Sequence, residues 1–177
     1  MSARSGAASA SPDPFGGGRW AARAMLASLV FRVRHAWRDA PPGFAGFAAG
    51  DGVRTPAEVT EHLAGLMRFA GRALPVTGRG GAANGDPAGS TATSRASAEK
   101  NRALADFEAA CRALDAALAY GSPGDDPLSP EAMLRGPLAD ALTHAGQLAL
   151  LRRLAGAPVE PVSYWRVTMP APGDAEG

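Results

Sequence analysis

Apolar residues recur at helical spacing in four separate stretches of the chain. Over residues 20–38, Met25, Leu26, Leu29, Val30 and Val33 share one side of a 3.6-residue period, which predicts a first helix. That helix must end before Pro41 and Pro42, because the residue ahead of a proline disfavours the α region and proline has no N–H for a helix interior. The second helix announces its start in Thr55-Pro56-Ala57-Glu58, where Thr can cap, proline suits the first turn and Glu can reach back to the cap backbone. It should run to about residue 74, burying Val59, Leu63, Leu66 and Ala70, with His62 on the flank of that stripe and pointing inward. A third helix over residues 97–120 buries Leu104, Phe107, Cys111, Leu114 and Leu118. A fourth starts at Ser129-Pro130-Glu131 and continues to about residue 155, where Gly156 is a natural stop.

No stretch alternates with period two, no repeat recurs, and no heptad run is long enough for a coiled coil. The pattern therefore predicts an all-α protein, an antiparallel four-helix bundle. Residues 1–18 are small and polar and should form a disordered tail. Residues 19–165 form the domain, and residues 166–177 a C-terminal tail. Within the domain, residues 76–95 carry almost no large apolar side chain and read as a flexible crossover linker between helices two and three. The loop after the first helix holds Phe44 and Phe47 among glycines, as a turn pinned by its aromatics or as a lid over a site. From residue 158 an extended strap should cross the bundle, with Tyr164 and Trp165 packing locally.

Composition narrows the classes. The chain has 177 residues, 46% hydrophobic and 20% charged, enough for one domain with a real core and too few for two. Its formal charge is +1, with arginines scattered among acids, so there is no electrostatic case for nucleic acid. Cys111 is the sole cysteine, which excludes an intrachain disulfide and a cysteine-based zinc cluster and suits a reducing cytoplasm. Its place in the core stripe marks it as a structural thiol rather than a nucleophile. The apolar run AMLASLVF is far too short to span a bilayer and lacks a signal-peptide cleavage site, so no membrane association is expected.

The candidate chemistry lies in ADALTHAGQLALLRRLAG. Asp140, His144 and Gln147 fall at i, i+4 and i+7 and share one side of the fourth helix. Side chains four apart stand about 5–6 Å from each other at Cβ, so the carboxylate and the imidazole can converge on one metal ion. The third ligand must come from another helix, and periodicity places His62 best. Two imidazoles and one carboxylate leave positions open for water or substrate, as in a catalytic site. An ordinary salt bridge between Asp140 and His144 is the plainer alternative.

TPAEVTEHL followed at long interval by DALTHAGQLALLRRLAG resembles the DinB-like (damage-inducible) superfamily of bacterial four-helix metalloproteins, which is similar to mycothiol-dependent isomerases and bacillithiol transferases. The resemblance covers residues 19–158. It implies a metal-binding histidine on the second helix, matching His62, and two on the fourth in H-x-x-x-H-x-G-Q, where this chain has Asp140, His144, Gly146 and Gln147. The departure is Asp140, which replaces a histidine with another competent ligand and bears on metal identity and affinity. Gln147 would then hydrogen-bond a ligand residue, and Gly146 would let a neighbouring helix approach. His35 has no counterpart among the family's ligands, and Glu58 is accounted for by the capping box.

The implied function is a metal-dependent enzyme of the thiol-dependent transferase or hydrolase type. Its cofactor would be a divalent ion (zinc, nickel or iron), with a low-molecular-weight thiol as co-substrate. Its partner would be a small-molecule substrate, with homodimer formation left open. Two other classes compete: a metal- or ligand-binding bundle without turnover, and a stress-related interaction module whose polar trio is vestigial.

Overall fold

The computed structural model describes residues 16–74, 92–122 and 128–168. Among these residues the chain is helical, with no strand: α1 (Gly16–Trp37), α2 (Pro56–Arg72), α3 (Ala92–Tyr120), a short α4 (Pro130–Met133), a π-helical turn (Leu134–Leu138) and α5 (Ala139–Leu154), plus a single 3-10 turn at Phe44–Gly46. No described helix is long and apolar enough to cross a membrane.

Local chemistry explains the helix ends. Glu58 N–H donates to Thr55 Oγ1 at 3.3 Å and Thr55 N–H to Glu58 Oε2 at 2.8 Å, the reciprocal box that the sequence announces. The Thr55 N–H bond first, and then the Thr55 hydroxyl donating to Glu58 Oε2 at 3.0 Å, hold the Glu58 carboxyl below its ordinary range. Ser129 caps α4 through Ala132 N–H at 3.1 Å. At the end of α5, Ala157 N–H returns to Arg152 O and Gly156 N–H to Arg153 O, with Gly156 at φ 75°. That closure needs a left-handed residue, which glycine adopts without steric cost.

One core joins all the helices. Leu26, Leu29 and Val33 of α1 meet Val59, Leu63 and Met67 of α2, Phe107, Cys111 and Leu114 of α3, and Leu138 and Leu148 of the last segment, each at most 1% exposed. Contacts along the helices fix their directions. Arg23 pairs with Asp115 and Arg34 with Glu108, so α1 and α3 run oppositely. Arg68 pairs with Asp106, while Leu74 O stands beside Gly121, so α2 and α3 run the same way.

The structure differs from the sequence expectation in several places. Gly16–Gly18 and residues 92–95 are helical, so α1 and α3 begin earlier than expected; the remainder of the tail (1–15) and of the linker (76–91) lies outside the described residues. Leu66, Leu104 and Met25 are half-buried rather than core. The fourth helix is not continuous. Pro137 lacks an N–H and its ring crowds the preceding turn, and Gly136 leaves helical geometry at φ −94° and ψ −107°, opening a π-turn.

Phe44 is buried edge-on against Trp37 at 5.2 Å, the pinned turn of the two alternatives for that loop. In the strap, Tyr164 packs on α1, edge-on to Phe31 and 3.6 Å beneath the Arg32 guanidinium. Trp165 does not bury; it is 79% exposed, with only the Arg166 guanidinium over its ring.

Candidate metal centre

Two helices and one kink position the candidate site. Trp37 Nε1–H donates to Thr60 Oγ1 at 3.0 Å, and that hydroxyl donates to Pro56 O at 2.8 Å, both bonds buried. This ties the first turns of α2, two residues ahead of His62, to the end of α1. Arg152 does the same for α5. Its side chain is buried, and its guanidinium donates to Ala36 O at 3.0 Å and Arg38 O at 2.9 Å, closing orphan carbonyls at the C-terminal end of α1, and to Ala157 O at 2.7 Å just past α5. The π-turn ends immediately before α5, two residues ahead of Asp140, and so sets the angle at which that helix presents its polar face.

His62, Asp140 and His144 come together. Each offers one ligand atom, and these atoms lie within 4.8 Å of one another. Asp140 Oδ1 is 3.5 Å from His144 Nε2, and Asp140 Oδ2 is 3.9 Å from His62 Nε2. The two imidazoles meet edge to face, with ring centres 4.5 Å apart. Two donors at zinc-type bond lengths around a tetrahedral ion would stand about 3.4 Å apart. Asp140 Oδ1 already stands at that spacing from His144 Nε2, while the other carboxylate oxygen, Oδ2, stands about half an ångström too far from His62 Nε2, so holding one ion requires the side chains to adjust. The donor set of two imidazoles and a carboxylate thus stands at metal-binding spacing.

Gln147 Oε1 lies 2.8 Å from His144 Nδ1. An amide oxygen only accepts, so Nδ1 carries the proton in this contact, and in the neutral ring Nε2 is then the nitrogen left to bind a metal. Burial, with smaller contributions from His144 and Arg54 and opposed by Asp140, holds His62 below its ordinary pKa and so favours its neutral form. The site is open: the side chains of His62, Asp140 and His144 are 32%, 50% and 14% exposed. His62 thus sits at the edge of the core instead of pointing fully inward.

The other residues singled out in the sequence do not join this group. His35 Nε2–H donates to Glu160 O at 2.8 Å and its ring stacks on Phe31, so it anchors the strap. A Cβ added at Gly146 would meet nothing within 4 Å, so among the described residues no neighbouring helix approaches closely there. Cys111 is fully buried, and burial pushes its thiol well above the ordinary range. Sequence reasoning missed Thr60, Arg152 and the kink. Only the kink had a legible signal, the Gly136-Pro137 pair inside an otherwise helical pattern. No family model, no curated protein and no solved structure matches this chain.

Proposed function

We propose that this protein is a metal-dependent enzyme of the DinB-like type, a thiol-dependent transferase or hydrolase acting on a small molecule in the cytoplasm. The divalent ion would be held by His62, Asp140 and His144. The observation that carries the reading is the convergence of three ligand atoms from α2 and α5 within 4.8 Å, with a solvent-facing side. When bound, such an ion would acidify a water for hydrolysis or hold a low-molecular-weight thiol as its thiolate for transfer. The chain's own residues supply the rest. Gln147 holds the His144 tautomer, Asp140 offsets positive charge, and the half-exposed rim admits substrate.

The proposed fold is the four-helix bundle, antiparallel between α1 and α3. That α2 and α3 run the same way supports a crossover connection between them.

A second reading rests on the same distances. Asp140 stands at ion-pair range of both histidines, and such contacts need no ion. The two readings separate on metal content after purification without a histidine tag. The metal reading expects about one equivalent of divalent ion per chain. That ion should be retained in Asp140→His, which restores three imidazoles, and lost in Asp140→Leu, His62→Ala and His144→Ala. A metal-free wild type under replete conditions, with Asp140→Leu unchanged in melting temperature, would establish the ion pair alone. Screening the loaded protein for thiol transfer and hydrolysis then distinguishes an enzyme from a binder.

A further inference from the structure

The two helices that carry the metal-site residues run oppositely. Thr60 near the start of α2 and Arg152 near the end of α5 both bond to the C-terminal end of α1, and His62 and His144 meet further along. One flank of the site is therefore built by the start of α2 and the end of α5. Arg54 stands on that flank, immediately ahead of the Thr55 cap, with Glu58 and His62 following at four-residue intervals. At most about 12 Å of helical rise separates the Arg54 and His62 backbones, a gap that the long arginine side chain covers in good part.

Arg54 is exposed, and among the described residues it makes no hydrogen bond and no ion pair. Glu58, one turn along, does not take it up, since its Oε2 already accepts from the Thr55 N–H and the Thr55 hydroxyl. The charge of Arg54 nevertheless reaches the metal site. After burial and the His144 ring, it is what holds His62 toward its neutral form, and its influence exceeds the opposing one of Asp140, whose carboxylate is only 3.9 Å away. Apolar surface lies on the same flank. Val53 beside Arg54 is exposed, as is Leu154, seven residues beyond Gln147 and on the same side of α5. An unpaired guanidinium, with exposed aliphatic groups at the same end of the site, matches an organic anion. Its planar fork fits a carboxylate, and the neighbouring Glu58 carboxylate weighs against a phosphate dianion.

We propose that Arg54 is the substrate contact of the metal centre, pairing with the carboxylate of a small organic anion while another group of the same molecule reaches the ion. The inference rests on the metal reading given above. Untagged full-length protein is loaded with cobalt(II), and its visible spectrum is titrated with malonate, succinate and glutarate, which differ in the separation of their carboxylates. Succinamide serves as the neutral analogue and inorganic phosphate as the competing anion, all at matched ionic strength.

At least one dicarboxylate is expected to perturb the cobalt spectrum, and Arg54→Gln should weaken its binding by about 10–100-fold, the loss of one charge-assisted bidentate contact. Arg54→Lys should recover part of that loss. Because Arg54 is exposed and unbonded, cobalt content and melting temperature should be unchanged in both variants. The proposal is overturned, with the metal reading intact, by equal affinity in wild type and Arg54→Gln, by no response to any of the three dicarboxylates, or by phosphate binding as tightly as they do. Loss of cobalt from Arg54→Gln would also overturn it, since Arg54 would then support the centre instead of a substrate. A wild type that takes up no cobalt is the distinct result in which the metal reading fails and the proposal with it.

Discussion

Replacing Arg152 with methionine removes the guanidinium that ties α5 to the end of α1 while keeping most of the apolar stem. The wild-type side chain is 4% exposed, and burial lowers its pKa, with Asp39 opposing. Its bonds to Ala36 O, Arg38 O and Ala157 O are 3.0, 2.9 and 2.7 Å long, and the contact to Asp39 O at 3.5 Å adds little. Only the Ala36 bond is fully buried, so that carbonyl would lose its partner with no water to replace it, at a cost of about 1–3 kcal/mol. The other two are partly buried, and water can take over, leaving each worth about 0.5–1 kcal/mol. Relief from burying a charge offsets some of this. The net expectation is a loss of about 2–4 kcal/mol. For a chain of this size each kcal/mol moves the melting temperature by about 2–4 °C, so Arg152→Met should melt roughly 4–16 °C lower by far-ultraviolet circular dichroism. A melting temperature within about 2 °C of wild type would refute the reasoning, because it would show that the α1 carbonyls do not depend on this side chain.

Gln147→Leu removes the acceptor for His144 Nδ1–H and should weaken metal binding by about 10–100-fold in a chelator competition, with the melting temperature of the metal-free protein little changed. Equal affinity in the two proteins would show that the tautomer needs no such support. Cys111 should not react with a disulfide reagent in the native protein and should react fully in denaturant, since the thiolate is both buried and disfavoured. Rapid native modification would mean that α3 opens locally or packs otherwise.

Much of the helical layout was legible because it rests on local chemistry. The Thr55 and Glu58 box, the Ser129 cap and the Gly156 stop are decided within a few residues, and each appears where its residue types require. The stripe of Phe107, Cys111, Leu114 and Leu118 was legible for the same reason, as periodicity reports which face is buried. The convergence of His62 with Asp140 and His144 was readable only in part. Spacing places Asp140 and His144 together on α5, but their meeting with His62 depends on how two helices pack, which no local pattern encodes.

Arg152 was illegible for a similar reason. In sequence it is one of two adjacent arginines in the last turn of a helix, where solvent exposure is the ordinary expectation. Its burial follows from the unpaired carbonyls at the end of α1, more than a hundred residues away. The π-turn was present in the sequence as Gly136-Pro137, but the flanking apolar pattern reads straight through it. Periodicity weighed above backbone chemistry misses the break. Tyr164 and Trp165 both pack locally, to different depths: Tyr164 has Phe31 and Arg32 of α1 to pack against, whereas Trp165, largely exposed, has the neighbouring Arg166 guanidinium over its ring.

The central claim is that His62, Asp140 and His144 hold a divalent ion, and anomalous diffraction from crystals grown with cobalt or zinc tests it most directly. Data collected on both sides of the metal's absorption edge would identify the element and its position together. The account predicts an anomalous peak about 2.0–2.2 Å from His62 Nε2, His144 Nε2 and one Asp140 carboxylate oxygen, with the His62 to Asp140 gap closed from its present 3.9 Å. Absence of any peak among these three side chains in metal-saturated crystals, with the pairs still at ion-pair spacing, would contradict it.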